Sequence, residues 1–250
     1  MPIKSNLPDL SPARDRYAVE ITLPSGGYVD REAFPNGLIK VYPWTSELDE
    51  WVVKRTGSAQ KVIVHDLLPK LCDLNGCKPD AFLISEALLV WMVSRSIRND
   101  RKVNFSTTCP KCSTTSSLTI TVPDDLERTG EKPLNYQGTD TAILPNTKDV
   151  VRHAPITVGK SRTIVQRPDK GYPDTVATLG SAIVDVNGGK PDSLAEACDY
   201  VNALPPADFA ALTESVERSM PGLSNKLQIQ CDECGHEYPH TIQFTEVFFR

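Results

Sequence analysis

At 250 residues, with 40% apolar and 24% charged side chains, the chain is long enough to bury a sizeable core and too apolar to be wholly disordered. Its longest apolar run, Ala87 to Val93, is seven residues, against the roughly 20 that a membrane-spanning helix needs. A net charge of -5 argues against nucleic acid as the main partner, because neutralising phosphates takes clustered Lys and Arg.

Met1-Pro2-Ile3-Lys4-Ser5-Asn6 leads into polar sequence without an apolar signal core, so synthesis and first folding in a cytoplasm are expected. Seven cysteines, an odd number, then read as reduced or metal-bound thiols rather than as a disulfide framework. Proline, at 20 residues, exceeds ordinary usage and marks boundaries along the chain.

Residues 1–16, with Pro2, Pro8 and Pro12, read as an extended arm. Tyr17 to Leu23 alternates apolar with polar, and Pro24-Ser25-Gly26-Gly27 supplies turn chemistry before Tyr28-Val29-Asp30-Arg31, which predicts a β-hairpin. A further short strand, Leu38 to Tyr42, should stop at Pro43. From Thr45 the period becomes helical. Thr45 or Ser46 caps a helix carrying Leu48, Trp51 and Val52, with Gly57 at its C-terminal end. A second helix is expected over about Val64 to Leu74, broken or kinked at Pro69. A third should start at Pro79 and run to Asn99-Asp100, and its apolar surface from Ala87 to Val93 makes it the buried central helix.

Residues 103–122 return to β structure, interrupted by Cys109-Pro110-Lys111-Cys112. The segment 123–192 reads as a loop-rich insertion with weak strands at Ile156 to Val158 and Ser161 to Val165, while Thr178 to Val186 fits strand or helix. In the last part, 193–250, Ser193 and Glu196 form a capping-box pattern opening a helix to about Ala203. Pro205-Pro206 separates it from a helix ending near Met220. Leu227 to Gln230, Cys231-Asp232-Glu233-Cys234-Gly235 and a strand from Thr241 to Phe249 complete the chain.

The pairs Cys109/Cys112 and Cys231/Cys234 carry the chemistry. Two thiolates two residues apart approach one cation from a tight turn, flanked by the arms of a hairpin. Both segments have apolar arms, and Gly235 can adopt the positive φ such a turn needs. Counted from the second cysteine, Leu118, Ile120 and Val122 correspond to His240, Ile242 and Phe244. Each first cysteine also lies 11 residues beyond an expected helix end, Arg98 or Met220, so a helix-then-knuckle unit recurs. One zinc held by Cys109, Cys112, Cys231 and Cys234 closes a loop of 118 residues. The chain entropy of that closure costs about 4 kcal/mol, and structural zinc supplies about 10–16 kcal/mol.

Alternatives are local coordination by Cys231, Cys234, His236 and His240, a redox role for the C-P-x-C sequence at Cys109, and four cysteines without metal. Cys72, Cys77 and Cys198 read as small buried groups, and His65 and His153 as structural or surface histidines. Gly159-Lys160-Ser161 copies only the end of a phosphate-binding loop. Arg95, Arg98, Arg101 and Lys102 read as a solvated helix C-terminus. No catalytic set stands out, so no enzyme activity is expected. The terminal Val247-Phe248-Phe249-Arg250 places adjacent aromatics on opposite strand faces. Val247, Phe248 and Phe249 are therefore candidate partner-binding residues.

The expected class is α+β: an N-terminal β-hairpin, a helical core, and two CxxC knuckles on β-hairpins forming a split zinc-ribbon-like site. The ordered succession of Ile21-Thr22-Leu23-Pro24-Ser25-Gly26-Gly27, Ile39-Lys40-Val41-Tyr42-Pro43-Trp44-Thr45, the helix ending in Arg95, the two knuckles and Phe248-Phe249-Arg250 resembles baseplate hub or hub-assembly proteins of contractile-tailed, T-even-like bacteriophages. Residues 123–192 depart from that pattern. The resemblance implies a non-enzymatic structural or assembly component of a virion tail baseplate, put together in the host cytoplasm and contacting other baseplate or tail proteins. The rival classes are a zinc-ribbon regulator binding nucleic acid through Arg95 to Lys102, and a thiol oxidoreductase.

Overall fold

Alternation along β1 (Val19–Thr22) buries Ile21 and exposes Glu20, and the strand pairs antiparallel with β2 (Leu38–Val41), so that Ile21 opposes Ile39 and Val19 opposes Val41. In this computed structural model, which describes residues 15–55, 60–129, 138–166, 171–224 and 226–242, the hairpin partner is thus β2 rather than the expected Tyr28–Arg31. The chain turns away after Leu23 because Gly26 and Gly27 both take positive φ, 69° and 92°. A Cβ on Gly27 would come within 2.7 Å of the Phe34 carbonyl, so the wide loop closes only around glycine.

α1 (Ser46–Arg55) starts at Thr45, whose carbonyl accepts the Leu48 N–H, and buries Leu48 and Val52. The expected C-terminal Gly57 lies outside the described residues. α2 (Gln60–Leu71) begins earlier than its apolar pattern suggests and tolerates Pro69, because that residue falls in the final turn and sacrifices only one helical bond. α3 (Ile84–Ser96) begins later than expected. A single 3₁₀ turn at Pro79–Ala81 is followed by extended Phe82 and Leu83. There the Phe82 carbonyl accepts the Val158 N–H and the Ile156 carbonyl accepts the Ile84 N–H, so tertiary backbone pairing outcompetes helix. As its composition predicts, α3 buries Ala87 and every residue from Leu89 to Val93.

β3 (Lys102–Thr108) and β4 (Thr115–Thr121) form the ribbon of the first knuckle. β5 (Arg128–Thr129) pairs across the molecule with β9 (Gly222–Leu223), and a three-stranded antiparallel sheet joins β6 (Asp140–Ile143), β7 (Val150–His153) and β8 (Ile183–Val186). Ser161 to Val165, expected as strand, lies in α4 (Val158–Gln166), where Val158 and Ile164 face the core and the Thr157 hydroxyl accepts the Lys160 N–H. The ambiguous segment resolves into both structures: α5 (Asp174–Ala182) ends where β8 begins. Ser193 caps α6 (Leu194–Asn202) through the Glu196 N–H, and α7 (Pro206–Arg218) follows. The second knuckle ribbon pairs β10 (Lys226–Gln230) with β11 (Glu237–Thr241). No helix among the described residues is long and apolar enough to cross a membrane.

Two apolar cores result, one around α3 and one around α5, α6 and α7. The order around them is similar: a strand pair, intervening helices (α1 and α2 in the first half, α4, α5 and α6 with β8 among them in the second), an extended residue, a long helix and a knuckle. One constant sequence offset relates the bounds of α3 to those of α7, Glu86 to Asp208, and Cys109 and Cys112 to Cys231 and Cys234. The recurrence includes buried chemistry. Glu86 and Asp208 each occupy the first turn of their helix, fully buried, and each accepts hydrogen bonds from the loop that joins the preceding strand pair. Glu86 takes the Ser25 N–H and hydroxyl at 3.1 and 2.5 Å; Asp208 takes the Asn146 and Thr147 N–H groups at 2.7 and 3.0 Å.

Their electrostatics diverge. For Glu86, burial pushes the carboxyl up and outweighs the Ser25 bonds, its second oxygen having no partner among the described residues. For Asp208, burial also pushes upward, but the Asn146 and Thr147 donors outweigh it and hold the carboxyl below its usual value. The signs therefore oppose. A raised folded pKa makes Glu86 subtract stability as pH rises above about 4.3, its unfolded value; a lowered one makes Asp208 subtract stability as pH falls below about 3.9. Urea denaturation from pH 2 to 8 is expected to show Glu86→Gln removing the first slope and Asp208→Asn removing the second. Unchanged slopes in both variants would contradict the assignment.

Candidate metal centre

Each knuckle is built by its own backbone. In the first, the Cys109 N–H donates to the Thr114 carbonyl and the Ser113 N–H to the Cys109 carbonyl, both at 2.9 Å. In the second, the Cys231 N–H donates to the His236 carbonyl at 2.9 Å and the Gly235 N–H to the Cys231 carbonyl at 2.8 Å. The residue after the second cysteine has positive φ in both, 61° at Ser113 and 66° at Gly235. Strand register agrees too: Phe105 opposes Leu118 as Leu227 opposes His240.

The ribbons bring the four sulfurs together. Cys109 Sγ lies 3.7 Å from Cys234 Sγ, Cys112 Sγ lies 3.6 Å from Cys231 Sγ, and all four fall within 4.8 Å of one another. Four sulfurs placed about 2.3 Å from one centre stand about 3.8 Å apart in a tetrahedron. The set therefore fits a tetrahedral four-thiolate site and can hold a metal ion. All four are free thiols, with Cys109 and Cys231 buried and Cys112 exposed.

His236 and His240 are not brought into this group. The His240 ring stacks on Phe105 at 5.3 Å and its Nδ1 lies 3.1 Å from the Thr107 hydroxyl, joining the two ribbons through contacts that sequence alone gave no means of finding. His236 stacks against Tyr238. The first cysteine of C-P-x-C sits in a turn between strands, away from any helix N-terminus that would activate it. Cys72 and Cys198 are buried and Cys77 half-buried, separate from the cluster. In the basic group, Arg95 pairs with Asp49 and lies over the Trp44 ring, and Arg101 pairs with Asp124. Val247, Phe248 and Phe249 lie outside the described residues.

Without a cation the sulfurs hold protons unequally. The Thr114 hydroxyl and N–H pull the exposed Cys112 thiol down to about 6. At Cys234 the His236 N–H acts downward, but burial and the neighbouring sulfurs of Cys112, Cys109 and Cys231 push the thiol up to about 12. A cation bound there would have to displace that proton, so its affinity would rise with pH.

A family model described as T4 bacteriophage base plate protein matches residues 17–250. No curated protein and no solved structure matches the chain.

After chelation at pH 7, iodoacetamide is expected to modify Cys112 well before Cys234, read by peptide mass mapping; equal rates would contradict the proton distribution. Gly235→Ala is expected to cost about 1–2 kcal/mol in urea denaturation because it forces a Cβ into a left-handed position. Ser113→Gly should match or exceed the parent's stability, since it relieves the same conformation.

Proposed function

The chain belongs to the T4 bacteriophage base plate protein family, and from that membership we propose that it works in the hub region of the tail baseplate as a non-enzymatic module stabilised by one zinc ion. The observation that carries the metal part of this reading is the convergence of Cys109, Cys112, Cys231 and Cys234 within 4.8 Å. Zinc suits an all-thiolate tetrahedral set, and a closed set of four protein ligands leaves no position for substrate, which makes the role structural. The donors come from both repeats. The ion would therefore link the knuckle at the end of each half and hold the two ribbons as one rigid unit.

Other tail and baseplate proteins are the expected partners, met through strand edges and the C-terminal Val247, Phe248 and Phe249. Nucleic acid is a poor fit: net charge is -5, and Arg95 and Arg101 are already committed to Asp49 and Asp124. Assembly in the host cytoplasm accords with reduced thiols and with zinc loading there.

Elemental analysis of purified protein is expected to give about one zinc per chain. Cys109→Ser and Cys231→Ser should each abolish it and lower stability by several kcal/mol, since a structural zinc site contributes on the order of 10 kcal/mol. Phage lacking this gene should yield tails without functional baseplates by electron microscopy. Metal-free protein of unchanged stability would remove the zinc reading, and intact tails would remove the baseplate role.

A further inference from the structure

Beside the second core, α4, the α5–β8 junction and the start of α6 enclose a cleft of about 370 Å³. Lys160 from α4 and Lys190 from the turn after β8 both line it, with Thr163 and Ser181 also on its walls and Ile183 and Leu194 giving it an apolar lining. No carboxylate lines it among the described residues, although the chain as a whole is acidic at -5. Lys160 is partly buried and has no ion pair among the described residues; burial alone acts on its ammonium and lowers its proton affinity. By contrast Lys40, Arg95, Arg101, Arg152 and Arg162 each meet an aspartate. A partly desolvated, uncompensated lysine facing a cavity gains most from an incoming anion, which restores the interaction that water no longer supplies.

We propose that this cleft receives an acidic segment of another baseplate chain, with a carboxylate side chain seated by Lys160 and Lys190 and an apolar neighbour against Ile183 and Leu194. The apolar lining distinguishes this occupant from a free inorganic anion, which would leave that surface wet. On a molecule of net negative charge, a local basic cleft also sets the register of an acidic partner that the rest of the surface repels. The inference rests on the baseplate reading above.

The test uses phage carrying Lys190→Glu, a reversal at an exposed position, and separately Lys160→Met, which keeps the side-chain volume. Purified variants with the parent's melting temperature establish folding, and Lys190→Glu serves alone if Lys160→Met does not fold. Lys190→Glu is expected to lower incorporation into tails at least about tenfold, since like charges facing each other across an interface cost several kcal/mol. Second-site suppressors should replace an Asp or Glu of another tail protein with a neutral or basic residue. Normal incorporation of the folded variants, or suppressors confined to this chain, would overturn the proposal. So would a melting temperature raised by inorganic phosphate or citrate in the parent but not in Lys190→Glu, with incorporation unchanged, because the ligand would then be a small anion. Gene deletion separates the two levels: intact tails would sink the baseplate reading itself, whereas defective tails with normal Lys190→Glu incorporation would sink only the cleft.

Discussion

Four sulfurs within 4.8 Å are the constraint on which the knuckle end of the molecule depends. Each ribbon there is only two strands wide, and isolated two-stranded hairpins are marginal in water. The apolar cluster beneath them is small, with Cys109, Ile229, Cys231 and Tyr238 as its buried members. Burial at this end is therefore slight beside that of the two main cores. As thiolates the four sulfurs would repel one another strongly at this spacing, and as thiols they form only weak hydrogen bonds. A cation held there would turn that repulsion into a strong set of links, tying residues near position 110 to residues near 232.

The repeat explains why the ligands arrive in matching positions. Two long helices, α3 and α7, run into two ribbons of identical register, and their first-turn acids, Glu86 and Asp208, each pin the loop beside a preceding strand pair. What the halves share is the backbone of the long helix and the knuckle, and there they differ in chemistry. Leu118 of the first knuckle answers to His240 of the second, whose ring crosses to Phe105 and Thr107 of the opposite ribbon. That contact adds a polar and aromatic link beside the sulfurs and makes the pair of ribbons asymmetric. The cleft lined by Lys160 and Lys190 likewise belongs to the second half, so the two halves present different surfaces.

His153 is fully buried against the Ser215 and Ser219 hydroxyls, and burial lowers the proton affinity of its ring. Ser85 donates to the Pro221 carbonyl at 2.5 Å, linking the start of α3 to the chain leaving α7. Together with the β5–β9 pairing, that bond joins the two halves.

Much of this was legible in one dimension. Short-range rules sufficed for the CxxC turns, the buried stretch of α3, the Ser193 cap and the recurrence of helix and knuckle, because each depends on residues within one or two turns of one another. The fold class and the identity of the four candidate ligands, Cys109, Cys112, Cys231 and Cys234, followed from the same reasoning. Long-range competition decided the rest. β1 chose β2 over the nearer Tyr28–Arg31 because a glycine-bounded loop turned the chain aside, and Phe82 and Leu83 left the helical path because the Ile156–Val158 backbone offered hydrogen bonds. Ser161 to Val165 became helix despite its β-branched residues once its apolar face met the second core. Local sequence thus determined which residues could hold a cation and which helices would be buried. Only the tertiary structure decided that the cysteines meet, that His240 turns to Phe105 and that Lys160 lies uncompensated in a cleft, because each depends on groups far apart in sequence whose approach no local propensity encodes.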